Sequence, residues 1–299
     1  MKKLINIVFT IDKNFIPHFA VALTSLLETN LELVGRVFLI HDISNDSELS
    51  IFRKHFDRRY GVNIECYFMD ATAFENFKTT HHFSKAANYR LLLDKILPPN
   101  IDSVLFLDSD IVVNGDISEL SNIDFRGKSP NNEGRVEEYL IYAVDHKMAP
   151  SSLLRLREAG FNSEKYFNSG VMYINLKQWR VLELSNLLMH NAARLRECLL
   201  WLDQDVLNIT LENRWGILEY KYNGFDLVES NNHDIRIVHF TGKDKPWHLV
   251  SKHPYKKLYW KYRRMTPYKA FLPDDFSIVN FIKWIIPVPV KRTIKRFIG

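Results

Sequence analysis

Cysteine is scarce: Cys66 and Cys198 are the only two in 299 residues. Two cannot build a disulfide framework, and they match no zinc-ligand spacing. Each stands among apolar neighbours, so both are expected to be buried free thiols, which suits a reducing compartment. Long hydrophobic runs are missing as well. No stretch approaches the roughly 18 apolar residues of a membrane-spanning helix. Lys2 and Lys3 precede an apolar run, but it covers only residues 4–9, is broken by Asn6 and stops at Asp12. That is too short for the apolar part of a secretion signal and reads as a buried first strand, so the expected compartment is the cytoplasm. Internal repeats and low-complexity tracts are also lacking. With 46% hydrophobic and 25% charged residues, what remains is an ordinary globular composition, long enough for a sizeable core.

Acidic charge is what the C-terminal end lacks. Of the 40 Lys+Arg and 35 Asp+Glu, 12 and 2 fall after residue 250, which leaves 28 and 33 in the body. A mildly acidic body (residues 1–250) and a basic appendage (residues 251–299) are therefore expected, the appendage with a partner of its own. It interleaves aromatics with cations, as in Tyr259, Trp260, Lys261, Tyr262 and Arg263, and later Phe281 and Trp284 before Lys291 and Arg292. Such a mixture suits an anionic membrane surface, each cation adding up to about 1 kcal/mol near it. Pro287 and Pro289 divide the end into short interfacial pieces. A basic aromatic tail could also bind nucleic acid, but the acidic body argues against it and no nucleic-acid partner is expected.

Apolar runs at residues 5–9, 37–40, 64–68 and 104–107 read as strands. Between them, Ile16, Phe19, Ala20, Leu23 and Leu27 recur at helical spacing, so a helix is expected over residues 17–28. A second is expected over residues 85–96, ended by Pro98-Pro99. This alternation predicts an α/β fold with a mostly parallel sheet covered on both faces. Further on, residues 140–144, 171–174 and 235–240 are strand-like, residues 182–198 and 203–211 helical, and residues 127–135 a polar surface loop.

The chemistry concentrates at strand ends. Asp108-Ser109-Asp110 closes the run Leu105-Phe106-Leu107, where open parallel sheets collect ligands. Two carboxylates one residue apart on a breaking strand can turn toward one hard cation, Mn²⁺ or Mg²⁺, which in turn bridges diphosphate oxygens. Alone, the pair is also compatible with a solvated turn. It is compatible with a phosphatase of the haloacid-dehalogenase type too, Asp108 being the nucleophile, though that motif normally opens its domain and needs a later acidic pair. His239 ends another strand, just before Gly242, Lys243 and Lys245, and neutral imidazole suits Mn²⁺ while a Gly turn with lysines approaches phosphate.

The combination resembles the family 8 glycosyltransferases, retaining enzymes of GT-A fold, especially the bacterial lipopolysaccharide and lipooligosaccharide galactosyl- and glucosyltransferases. It is carried, in order, by Ile7-Val8-Phe9-Thr10-Ile11-Asp12-Lys13-Asn14, Ala86-Ala87-Asn88-Tyr89-Arg90-Leu91, Phe106-Leu107-Asp108-Ser109-Asp110, Tyr166-Phe167-Asn168-Ser169-Gly170-Val171, Asp203-Gln204-Asp205-Val206-Leu207-Asn208, and His239 through Trp247. The resemblance implies a single GT-A domain with a mixed, mostly parallel sheet and the basic aromatic extension. It implies a UDP-sugar donor (galactose or glucose), a saccharide or glycolipid acceptor, and a site peripheral to the inner face of the cytoplasmic membrane. Asp108, Asp110 and His239 would hold Mn²⁺ or Mg²⁺. Thr10, Asp12, Asn14, Arg90, Ser109, Gly242 and Lys245 would bind the donor, and Asn168, Asp203 and Gln204 would surround the transferred sugar. A loop at residues 79–84 would fold over the donor. Lys13 stands where many relatives carry a second acidic residue. A non-catalytic glycan- or membrane-binding relative is the remaining alternative, against which the intact metal and phosphate residues speak.

Overall fold

Runs of Ile, Val, Leu and Phe form the strands of the computed structural model, which describes residues 3–70, 72, 85–126, 138–148, 150–227, 234–270 and 272–285. The strands are β1 (Ile5–Ile11), β2 (Val34–His41), β3 (Ile64–Phe68), β4 (Ser103–Leu107), β5 (Ile111–Val113), β6 (Ile141–Asp145), β7 (Phe167–Asn175), β8 (Trp215–Leu218) and β9 (Ile237–His239). Seven form one sheet in the order β3-β2-β1-β4-β7-β6-β8, while β5 and β9 pair as a separate antiparallel ribbon. Every pairing in the large sheet is parallel except those of β7, which runs antiparallel to both β4 and β6. The mixed, mostly parallel sheet is the one the sequence implies.

The largely apolar character of β1 follows from burial on both faces. Ile5, Ile7, Phe9 and Ile11 point into one core with Phe19 and Leu23 of α1 (Ile16–Asn30) and Phe52 and Phe56 of α2 (Asp46–Tyr60). Val8 points into the other, with Phe38 and Ile40 of β2, Leu93 of α3 (Leu93–Ile96) and Trp179 of α5 (Leu176–Val181), which follows α4 (Pro150–Glu158). Leu184 and Leu188 of α6 (Leu184–Arg194) and Val206 and Leu207 of α7 (Leu202–Thr210) close this second face. Full burial of such side chains contributes about 1.5–3 kcal/mol each, so the two cores fix the strand ends rigidly.

Several local expectations need correction. The helix expected over residues 85–96 is a 3₁₀ segment, Lys85–Leu92, with only the α3 turn after it. Ala86 and Tyr89, three apart, are both buried, a repeat that a 3₁₀ turn satisfies directly. The helix expected over residues 182–198 starts at Leu184, since Glu183 takes a left-handed φ of 48° and separates it from α5. The strand expected over residues 235–240 keeps three ladder residues as β9. Cys66 and Cys198 are partly exposed rather than buried, although burial still pushes the Cys66 thiol up to about 11. The loops at residues 79–84 and 127–135 lie outside the described residues.

Beyond residue 250, α8 (Lys256–Arg263) packs on the body: Tyr259 and Tyr262 share a cluster with Val21 of α1, Val112 of β5, Phe240 and Trp247. The next helix, α9 (Ile278–Ile285), is different, with Ile278 77%, Val279 60% and Trp284 58% exposed. Among the described residues no helix is long and apolar enough to cross a membrane.

Candidate active site

The antiparallel run of β7 decides what meets at one edge of the sheet. β1 and β4 leave the sheet there, at Asp12 and Asp108, and β7 enters it there, at Phe167 to Gly170. Leu107 pairs with Val171, and Asp108 N donates to Gly170 O at 2.8 Å. The β5–β9 ribbon brings in the third group: Ile111 pairs with His239, and Phe240 N donates to Asp110 O at 2.9 Å. His239 Nε2 thereby lies 3.3 Å from Asp110 Oδ1 and 3.6 Å from Asp108 Oδ2. One ligand atom from each of the three residues lies within 4.8 Å of the others, so two carboxylates and an imidazole could hold one divalent cation.

Gly170 makes this approach possible. A Cβ there would stand 2.2 Å from His239 Cε1 and 2.8 Å from Asp108 Oδ2. Gly170 is legible in the sequence only as part of a motif, because its partner is 69 positions downstream.

Two cations border the cluster. Arg90 is buried, its planar guanidinium lying over Phe106 at 4.4 Å, and it pairs with Asp108 Oδ1 at 2.7 Å and Asp203 Oδ2 at 3.2 Å. It also donates to Ala87 O at 2.8 Å and Ser169 O at 2.9 Å. Lys245 Nζ reaches Asp110 Oδ2 at 2.6 Å, bonds Phe240 O, and sits 5.6 Å from the Trp247 ring centre. Burial opposes ionisation of Asp110, but the neighbouring Lys245 and His239 charges outweigh it and hold the carboxyl far below its usual range. Burial raises the Asp203 carboxyl, with the Arg90 charge pulling the other way.

The remaining candidates surround this centre. Gln204 is held at both ends of its amide, Oε1 accepting from Ser169 N at 3.0 Å and Nε2 donating to Tyr166 Oη at 3.1 Å. Asn168 Oδ1 accepts from Gly170 N at 3.0 Å. Ser109 Oγ donates to Thr10 O at 3.4 Å, joining the ends of β1 and β4. Asp12 Oδ1 accepts from Asn14 N and Phe15 N at 2.8 and 3.2 Å, capping a 3₁₀ turn and leaving Asn14 exposed. Gly242 turns the chain after His239 with φ 71°. Asp274 and Asp275, a late acidic pair of the kind a phosphatase needs, instead bond His18 Nε2 and Leu249 N. Ser169, Tyr166 and Asn223 tie these groups together, and sequence reasoning misses their roles because no local pattern marks the contacts.

The family description "Glycosyl transferase family 8" matches residues 6–250. The chain is 27% identical over 293 residues to the lipopolysaccharide 1,2-glucosyltransferase of Escherichia coli K12, covering 93% of this chain and 83% of that one. It is 28% identical over 291 residues to general stress protein A of Bacillus subtilis, covering 90% and 96%. Among solved structures, the galactosyltransferase LgtC in complex with donor and acceptor sugar analogs superposes with a TM-score of 0.74 at 18% identity, covering 91% of this chain and 98% of that one.

Proposed function

Because the chain belongs to glycosyl transferase family 8 and has the GT-A fold, we propose that this glycosyltransferase moves a hexose, galactose or glucose, from a UDP-sugar to a saccharide acceptor with retention of configuration. The observation that carries the reading is the convergence of Asp108, Asp110 and His239 within 4.8 Å beside two buried-edge cations. The acceptor class follows the relatives whose names state one, a lipopolysaccharide core or another surface glycan.

Each residue then has a chemical task. Asp108, Asp110 and His239 hold Mn²⁺ or Mg²⁺, which when bound withdraws charge from the leaving diphosphate. Lys245 adds a second positive charge there, and the left-handed turn at Gly242 lets backbone N–H groups approach phosphate closely. Asp12 spends Oδ1 on its own turn, so Oδ2 and the exposed Asn14 serve the ribose and uracil, with Thr10 offering backbone groups. Ser109 sits between the two carboxylates and lines the donor side. Arg90 keeps Asp108 and Asp203 in place and reaches the donor from beneath.

Asn168, Asp203 and Gln204 line the transferred sugar. The Gln204 amide is fixed through both ends and is a poor nucleophile, and the Asp203 carboxylate is engaged by Arg90, so neither favours a displacement from the sugar's back face. Front-face substitution is the consistent route. The acceptor oxygen bonds to the anomeric carbon, the bond from that carbon to the diphosphate oxygen breaks, and the acceptor's proton passes to the departing phosphate.

The tail belongs to the same proposal. The exposed apolar side chains of α9, within a tail bearing 12 Lys+Arg against 2 Asp+Glu, are complementary to an anionic bilayer and support a position on the inner face of the cytoplasmic membrane. Cosedimentation with anionic vesicles, lost on truncation after residue 275, is the expected result; equal pelleting of both forms removes this part. The main test is calorimetry with UDP, UDP-galactose and UDP-glucose, with and without Mn²⁺. Metal-dependent binding of UDP is expected, and its absence sinks the assignment.

A further inference from the structure

Asn223 lies at the end of a 3₁₀ turn (Tyr220–Tyr222), is fully buried, and uses its amide in two directions. Its Oδ1 lies 2.9 Å from His239 Nδ1, and its Nδ2 donates to Asn168 Oδ1 at 2.8 Å. The orientation of both amides follows from a group that cannot be flipped. Gly170 N–H is a backbone donor, so the Asn168 atom that it meets at 3.0 Å must be oxygen. That same oxygen requires a donor from Asn223, which turns the Asn223 oxygen toward His239. An oxygen there can only accept, so His239 carries its proton on Nδ1. Nε2 is thereby the ring atom that faces Asp108 and Asp110.

We propose that Asn223 is a positioning residue for the metal site: it holds the Nδ1–H of the His239 ring, so that Nε2 is the ligand atom. Outer partners of this kind fix ring orientation and typically change metal affinity about 10- to 100-fold. The same amide ties His239 to Asn168, the residue assigned above to the transferred sugar, so Asn223 joins the metal side of the site to its sugar side. The inference rests on the proposed Mn²⁺–UDP chemistry, and its test separates the two.

The tautomer is read first, by ¹⁵N NMR of the His239 ring in the full chain without added metal. A ring protonated on Nδ1 supports the inference, and a ring protonated on Nε2 alone overturns it whatever the enzyme does. Free Mn²⁺ is then followed by electron paramagnetic resonance in the presence of saturating UDP. If the wild-type chain takes up no Mn²⁺, the functional reading fails and the tautomer still decides the role of Asn223. If it does, Asn223→Leu, which removes both hydrogen bonds, is expected to weaken uptake about 10- to 100-fold. Asn223→Asp keeps an acceptor against Nδ1 and is expected to retain affinity within about threefold, a small part of that range. It loses the bond to Asn168, and with it much of the preference for a UDP-hexose over UDP. Equal loss in both variants would reduce Asn223 to packing. Should Asn223→Leu not fold, the wild-type tautomer and Asn223→Asp still decide between the positioning role and simple packing.

Discussion

The imidazole of His18 lies flat against the indole of Trp247, with ring centroids 3.7 Å apart and planes 25° from parallel. His18 belongs to α1 and Trp247 to the segment that carries Lys245, so the stack holds the Lys245 turn against the body from behind. A directional chain fixes the ring. Arg263 donates to Tyr259 Oη at 2.7 Å, Tyr259 Oη donates to His18 Nδ1 at 2.7 Å, and His18 Nε2–H faces Asp274 Oδ2 at 3.2 Å.

That ring should make stability fall on mild acidification. Burial holds His18 below the ordinary histidine value, with the Asp274 carboxylate opposing, and burial lowers His146 and His253 in the same way. The folded chain then refuses protons that the unfolded chain accepts below about pH 6.5. The contribution is complete above that pH and is lost as pH drops toward the folded value, each group adding at most ~1.4 kcal/mol per pH unit. Asp274, held low in the fold by its bonds to His18 against the burial that raises it, adds a separate loss only in the carboxylate range. Urea unfolding from pH 8 to pH 5 should show the decline, and His18→Phe, which keeps a stacked ring, should make it shallower. An unchanged slope would exonerate His18.

Gly170→Ala should damage the metal site more than the fold. Its Cβ would overlap the His239 ring and crowd Asp108 Oδ2, and the shift needed to accommodate it costs about 1–3 kcal/mol by the usual range for overpacking. Calorimetric titration with Mn²⁺ and UDP should report loss of metal-dependent binding in a chain that still unfolds cooperatively. Retained binding would mean that His239 can move aside.

Arg90→Ala strips the partner from two largely buried carboxylates at once. Removing one side of a buried ion pair costs about 3–5 kcal/mol, and Arg90 is 3% exposed. Arg90→Lys should recover only part of this, because a single ammonium cannot reproduce the forked contacts to Asp108, Asp203 and Ser169. Thermal unfolding of the two variants orders them, and near-wild-type stability of Arg90→Ala would contradict a buried, doubly paired guanidinium.

Gln204→Ala should separate binding from turnover. Its amide holds Ser169 N and Tyr166 Oη rather than the proposed metal ligands or Lys245, so Mn²⁺-dependent UDP affinity is expected to persist. Transfer should drop by about 10²-fold, the scale of losing one well-placed polar group in an active site. Nearly full transfer activity would remove Gln204 from the site.

What the sequence makes readable follows from distance along the chain. The strands show themselves because burial on both faces demands largely apolar runs, and Asp108 and Asp110 because they stand where such a run stops. The 3₁₀ segment at Lys85–Leu92 is hidden, since eight residues cannot separate a repeat of three from one of 3.6. Gly170 shows only within a motif that does not say why it must be glycine, and Asn223 carries no local signature. Their partner His239 lies 69 and 16 positions away, and only the meeting of β7 with the β5–β9 ribbon reveals why one must lack a side chain and the other must offer an amide.

The reversed direction of β7 has a consequence for how such an enzyme can be remodelled. Asp12 and Asp108 stand where chain departs from the sheet, whereas Asn168 and Ser169 stand where chain arrives at it. The segment preceding that arrival, with α4 inside it, can therefore be lengthened, shortened or exchanged upstream while the strand that follows stays clamped between β4 and β6. The residues proposed for the nucleotide and those proposed for the sugar thus come from separate stretches of chain. On that assignment, a graft of residues 146–165 from a relative would exchange the segment while leaving Asp12 and Asp108 on one side and Asn168 and Gln204 on the other in place.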